Sequence, residues 1–337
     1  MKKLSILLVI LTTLFLSTFD GHSQIGNAGP GQWSLKGTNP IQLYFGDKLV
    51  TVYNPGKAEG KPFFYPVIGP TGENMTRHWP MKEGDDTEET DHIHHRGMWY
   101  GLGNVNGLDF WHYPGDEKKK DKTFGKIVHK SMNGFSSKEG GSKVSFKVKS
   151  DWLGDAPPSA KVMSDSREFT LFYTKEGSLV VDAKITLIAD SGDVTINDDK
   201  EGAWSIRTIP TLRLEGKAAK GSMVNSEGQT GKEVWGKRAA WVDYYGTDKA
   251  GKEVGIAIFD HPSNPRHKTW WHARHYGLFT ANPFGQGHFE KGAAKDAGKF
   301  VIENGKSVTF TYRTIFHKGN AEAAGLAAAY KAFSDGK

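Results

Sequence analysis

Three histidines fall within four positions, at His92, His94 and His95, with Asp91 before them and Arg96, Trp99, Asp109, Trp111 and His112 after. Imidazole ionises closer to neutrality than any other side chain, so such a cluster suits proton transfer near pH 7 or metal ligation. A guanidinium alongside disfavours the imidazolium and keeps the rings available as bases. In an extended backbone His92, His94 and Arg96 share one face, and Ile93, His95 and Gly97 the other. A second stretch, from Asp260 to Gly287, holds His261, His267, His272 and His275 beside Arg274, Trp270, Trp271, Tyr276 and Asn282. There an extended run from Trp270 to Gly277 sends Trp270, His272, Arg274 and Tyr276 one way and Trp271, Ala273 and His275 the other.

Two segments that each combine His, Arg and Trp point to one shared site, whose walls they would line from opposite sides. His94, His95 and His272 are the expected acid and base groups, and Arg96 and Arg274 are placed to neutralise a carboxylate or a developing oxyanion. A flat aromatic wall beside polar groups fits a sugar, whose C–H face packs on a ring while its hydroxyls hydrogen-bond. Trp99, Asp109, Trp111, His112, His261, Trp271, Tyr276 and Asn282 are the expected substrate contacts. Arg77 and Arg207 join them, unless Arg207 serves a buried ion pair with Glu201 or Asp199. Asp109, Asp243 and Asp260 are the candidates for paired carboxylates.

His92-x-His94 resembles the spacing that sets two cupin ligands on one strand face, but Gly97 or Met98 stands where the acidic ligand belongs. No HExxH is present, and no cofactor is expected. The metal alternative is a divalent ion on His92, His94, His95, Asp91 or Asp109. Phosphate-binding and nucleophile-elbow signatures (GxxxxGK[ST], GxGxxG before a helix, GxSxG) are absent.

The elements that must position these groups read as strands. Alternation puts Val144, Phe146 and Val148 on one face of Lys143 to Ser150, and it recurs in 168–173, 179–188, 42–52, 254–259 and 307–316. Glycine punctuation at 139–141, 175–177 and 191–193 separates the runs. With 41 Gly and few amphipathic windows, the pattern predicts an all-β fold, a large antiparallel β-sandwich forming a single domain over residues 24–337. One helix is expected at the C-terminus, capped by Asn320, with Leu326, Tyr330 and Phe333 as its apolar stripe and Gly336 after it.

The 337 residues are 37% hydrophobic and 24% charged, which excludes a disordered chain, and zero Cys excludes disulfides, zinc–thiolate sites and a Cys nucleophile. Met1-Lys2-Lys3 and the apolar run Leu4 to Leu16 read as a secretory signal peptide over residues 1–23. This predicts a secreted or periplasmic protein with no membrane insertion after signal removal. The formal charge of +6 falls by one when Lys2, Lys3 and Asp20 leave. That balance suits anionic small ligands or glycans but not nucleic acid, which needs a clustered basic stripe. The densest charged run, 117–122, mixes signs and reads as a solvated loop.

The segments DHIHHRGMWYGLGNVNGLDFWH (91–112), DHPSNPRHKTWWHARHYGLFTANPFG (260–285) and YPVIGPTGENMTRHWPM (65–81) resemble the bacterial family DUF6807, also catalogued as "methane oxygenase PmoA", over nearly the whole chain after the leader. The oxygenase of that label is an integral membrane protein, whereas this chain has no apolar run of spanning length beyond its leader. The resemblance implies kinship with the exported machinery of polysaccharide-degrading bacteria, and a strand pattern similar to the supersandwich of galactose mutarotase. The expected function is an exported carbohydrate-active enzyme using His acid/base and Arg groups on a sugar or uronate-containing oligosaccharide, by elimination, dehydration or glycoside cleavage. The alternatives are an epimerase or mutarotase on the same fold, and a non-catalytic glycan-binding protein with Trp99, Trp111, Trp270 and Trp271 as its platform.

Overall fold

A computed structural model describes residues 31–112, 121–138, 141–154 and 160–336. The signal-peptide reading, most of the 117–122 run and most of the 139–141 turn lie outside the described residues. Two antiparallel sheets carry the chain. The larger has nine strands in the order Trp33–Lys36, Ile41–Phe45, Lys48–Asn54, Phe63–Val67, Met98–Leu102, Gly202–Arg207, Leu278–Asn282, Thr269–Trp271 and Arg238–Ala239. The other has eight: Ser222–Asn225, Trp241–Thr247, Glu253–Asp260, Ser307–Lys318, Leu179–Ile188, Lys161–Tyr173, Lys143–Gly154 and Gly125–Lys138. A two-stranded ribbon pairs Val194–Ile196 with Phe300–Ile302.

The period-2 rule explains which side chains meet between the sheets. Val144, Phe146 and Val148 point inward, as do Ile185 and Leu187 of Leu179–Ile188 in the same sheet, and they meet Met98, Tyr100, Trp204, Ile206, Phe279 and Ala281 of the nine-stranded sheet in one apolar cluster. The intervening residues of those central strands must then face away. Trp99, Ser205, Arg207, Thr280 and Asn282 are buried all the same, because loops cover this outer face. The site is built there.

The C-terminal helix runs Leu326–Ser334 and packs Leu326 and Phe333 on Ala257, Phe259 and Ile315, on the outer face of the eight-stranded sheet. Asn320 does not cap it. Its Oδ1 accepts from the Ala323 amide at 2.9 Å in a preceding turn, and Gly325, at φ +62°, takes the cap position. A second helix, the single turn Gln286–Phe289, was not expected from sequence.

Candidate active site

Residues 91–97 do not form a strand, so the expected sorting of the histidines by alternation fails. His92 takes a left-handed φ of +44° and its carbonyl accepts from the His95 amide at 3.0 Å, closing a turn. The turn sends His92, His94 and His95 toward one cavity and leaves Arg96 outside its walls, over the Phe63 ring at 5.8 Å. Gly97 then leads into the strand Met98–Leu102. Its φ is +55°, and a Cβ there would stand 2.1 Å from the Phe64 carbonyl oxygen, so only glycine passes.

The cavity, of about 490 Å3, is lined by His92, His94, His95 and His112 from the first segment and by His272, Arg274 and Tyr276 from the second, with Asp91, Lys200 and Glu201 completing the wall. The two segments therefore meet. The second segment is extended only to Trp271, and Trp270 does not line the cavity, but the rest sorts as alternation has it: His272, Arg274 and Tyr276 line the cavity, Trp271 and Ala273 enter the core, and His275 faces a neighbouring depression.

Four rings stack in a column from the cavity inward. Tyr276 lies on His92 at 5.3 Å, His92 on His95 at 4.7 Å, and His95 on Trp99 at 5.4 Å, with interplanar angles of 16°, 6° and 21°. His94 sits beside the column, 4.4 Å from the His95 ring and 4.3 Å from His112.

Hydrogen-bond partners decide which ring nitrogen holds the proton, because guanidinium only donates while carbonyl and carboxylate oxygens only accept. Arg207 Nη1 donates to His95 Nδ1 at 3.0 Å, so His95 carries its proton on Nε2. His272 Nδ1 donates to the Lys200 carbonyl at 2.7 Å, and His112 Nδ1 to Asp109 Oδ2 at 2.7 Å. His92 Nδ1 bonds Asp91 Oδ2 at 2.6 Å. In their neutral forms these three keep an Nε2 lone pair. One ring is thus a fixed donor, and the other three accept at Nε2 when neutral.

Burial holds His94 and His95 well below the ordinary histidine range, with His112 adding to the effect on His94 and His94 and Arg207 to that on His95. Burial likewise lowers His272 to about 4, against the pull of its Lys200 hydrogen bond. The Glu201 carboxyl moves the other way: burial raises it, only partly countered by the charge of His112. Its Oε2 lies 3.8 Å from His272 Nδ1. Burial also acts on Asp91 and Asp109, but for Asp91 the His92 hydrogen bond with the Arg207 and Arg77 charges outweighs it, and for Asp109 His112 and Lys122 do. Both stay well below the usual carboxylate range.

Several expected substrate contacts prove to be supports. Arg77 is buried and donates to the carbonyls of Trp79, Glu89, His92 and His95 and to Asp91 Oδ1 at 2.5 Å. Arg207 is buried too and bonds Asp91 Oδ1 at 3.1 Å, not Glu201 or Asp199, with Tyr276 4.6 Å from its guanidinium. Asp109 lies under His112, and its Oδ1 accepts from the Trp111 and His112 amides. Asn282 donates to the carbonyls of Asp199 and Lys200 and so holds the Glu201 loop.

The tryptophan platform is not exposed. Trp99 and Trp111 belong to an apolar cluster with Phe63 and Leu278, and Trp271 is a core residue whose Nε1 donates to the Ala239 carbonyl at 3.0 Å. Trp270 is covered by Arg238 at 4.5 Å. His261 is elsewhere, its ring against Phe333 at 4.9 Å. Asp109, Asp243 and Asp260 do not pair with one another: each is bonded to a histidine of its own, His112, His317 and His267.

Glu201 and Lys200 were missed as wall residues because they sit in the run Asp198-Asp199-Lys200-Glu201, which reads as a solvated turn. Lys61 was missed outright. It is buried beneath the cavity, donates to the Trp111 carbonyl, and is lowered to about 7 by burial and by Arg96. Of the proposed metal donors, Asp91 and Asp109 are paired with Arg and Lys side chains and His95 Nδ1 accepts from Arg207, and among the described residues no group of three or more His, Asp or Glu is arranged as ligands.

No curated protein matches the chain. Among solved structures, the GalM/aldose epimerase homologue from C. elegans aligns at 11% identity and TM-score 0.32, covering 86% of this chain and 97% of that one. A galactose mutarotase-like protein from Clostridium acetobutylicum aligns at 8% identity and TM-score 0.36, covering 86% and 94%. The model of the family of unknown function DUF6807 matches residues 40–331, a span that takes in both walls of the cavity, and the protein belongs to that family.

Proposed function

We propose that the cavity is the active site of a carbohydrate-active enzyme that moves a proton on a sugar carbon next to a carboxylate or keto group. One observation carries this reading: a carboxyl raised by burial, Glu201, shares a cavity with imidazoles held neutral, His94, His95 and His272. Titratable groups driven apart by their surroundings divide into acid and base. His112 and His272 offer Nε2 lone pairs to take the proton. His95 donates from Nε2 to the oxygen on which charge develops, and Arg274 with Lys200 balances a substrate carboxylate. In an elimination, the C–H pair moves into the new double bond, the β C–O bond breaks, and protonated Glu201 gives its proton to the departing oxygen. Placement of such groups contributes ~10²- to 10⁴-fold in rate.

Elimination or dehydration stands ahead of epimerisation because an acid and separate bases are both present. Hydrolysis of a glycosidic bond would need a second carboxylate free of its own partners, and Asp91 and Asp109 are tied. A sugar is favoured over an apolar ligand by a wall of imidazoles, carboxyls and Arg274 with one aromatic ring, Tyr276. Export by the leader belongs to the same proposal, since oligosaccharides are met outside the cytoplasm.

The test is incubation with uronate-containing and 3-keto oligosaccharides in D2O, read by mass spectrometry. Loss of water marks dehydration, a pair of fragments with one unsaturated end marks elimination, and deuterium gain without other change marks epimerisation. Intact, unlabelled sugars throughout both series would reject the reading.

A further inference from the structure

The cavity is one end of a longer track. Beyond Arg274 lies a depression of about 200 Å3 that also has Trp235 and Lys232 in its wall. Lys232 is shared with a third depression, of about 570 Å3, and Ser222 and Tyr245 join that one to a fourth, of about 280 Å3. Each hollow thus shares wall residues with the next, and they lie in a row from the histidines to the edge strand Ser222–Asn225 of the eight-stranded sheet.

The walls mix apolar and polar surface, with two aromatic residues along them, Trp235 and Tyr245. The Trp235 ring is fixed edge-on to Phe289 at 5.5 Å, and the Arg274 guanidinium lies 6.0 Å from its centre. Two donors along the track are unsatisfied: Arg274 Nε and Trp235 Nε1 are buried atoms without a hydrogen-bond partner. Buried donors are normally paired, so these two await an acceptor. The acidic side chain Glu215 is matched by Lys232 and, at 3.7 Å, by His275, which leaves Arg274 as the cation at the junction with the cavity.

We infer that the substrate is a chain rather than a single sugar: an acidic oligosaccharide lies along this track, its reacting unit among the histidines and its next unit on Trp235 against Arg274. The inference rests on the proposed reading of the cavity and adds the ligand's length and charge. A ring face on an indole with hydroxyls or carboxylates on flanking donors is the usual chemistry of such a contact.

The test is calorimetric titration of the Glu201→Gln protein, in which turnover is blocked, with galacturonic acid, its trimer and its hexamer, and with neutral cello-oligosaccharides of matching length. Affinity for the acidic series should rise by about tenfold or more from monomer to hexamer. Trp235→Ala should remove most of that gain while changing monomer binding less than about twofold, which also reports an intact cavity. Equal affinity at every length overturns the track, and an equal gain in the neutral series overturns the acidic assignment. If no oligomer binds while wild type still exchanges deuterium into a keto sugar, the track fails alone; if neither occurs, the cavity reading falls with it.

Discussion

Arg207 donates to His95 Nδ1 across 3.0 Å, in a place where both side chains are buried. Because guanidinium has no lone pair to offer, the bond fixes His95 as a neutral Nε2–H donor rather than a base. Nitrogen-15 spectra of histidine-labelled protein should therefore give His95 the Nε2–H tautomer and His272 the Nδ1–H tautomer, unchanged from pH 8 to 6. An Nδ1–H or imidazolium signal for His95 in that range would remove it as the donor to an oxyanion.

Asp109 does for His112 what the Lys200 carbonyl does for His272: it holds Nδ1–H and aims the lone pair outward. Asp109→Asn frees the ring to turn or change tautomer. Turnover should fall by ~10²-fold or more with KM little changed, measured by steady-state kinetics on whichever oligosaccharide the screen identifies. A drop confined to KM would make His112 a binding group.

Stability should fall on mild acidification. His272 ionises near 4 in the folded chain and near 6.5 when unfolded. The folded state thus prefers the neutral ring, a contribution fully present above about 6.5 and lost as pH drops toward 4, amounting to about 3 kcal/mol over that interval. His94 and His95 act in the same sense. Urea midpoints should decline between pH 7 and 4.5, and His272→Gln should flatten the decline. A flat wild-type profile would contradict the burial of neutral imidazoles.

Glu201 has the opposite sign. Its folded pKa is raised, so its contribution is present below its ordinary value and is lost as pH rises through the folded one. Glu201→Gln should raise the melting temperature at pH 8 and leave it nearly unchanged at pH 4, while abolishing turnover at both. Equal melting temperatures at pH 8 would place the carboxyl in water.

The strand grammar was legible because apolar alternation is a local property: Val144, Phe146 and Val148 declared their face without any knowledge of the partner sheet. The convergence of the two histidine segments was legible through their composition. What sequence could not supply was the direction of each side chain in the loops. His92 escapes alternation because its backbone is left-handed, so His94 and His95 share a cavity that an extended run would have kept apart. Trp99 and Trp271 resembled a platform, yet apolar surface draws the Trp99 indole under the loops and the Trp271 indole into the core between the sheets. Glu201 looked solvated because burial of its carboxyl depends on Asn282 and His272, some 70 to 80 positions away, gripping the loop that carries it.

Away from the cavity, Asp165 accepts from Trp152 Nε1 at 2.7 Å and from Arg167 Nη2 at 2.6 Å, with all three buried between the sheets. Asp165→Ala leaves the Arg167 charge without its partner and should cost about 3–5 kcal/mol in chemical unfolding. A loss below about 1 kcal/mol would mean that Arg167 finds another acceptor.

Arg77 spends its donors on four main-chain oxygens and one carboxylate, clasping the turn that bears the histidines from behind. A pocket whose backbone is already tied in this way has little shape left to settle when a guest arrives. Crystals grown empty and then soaked with sugar should diffract as before, with the turn from Asp91 to His95 superimposing on its vacant form and adjustment limited to the exposed ring of His92.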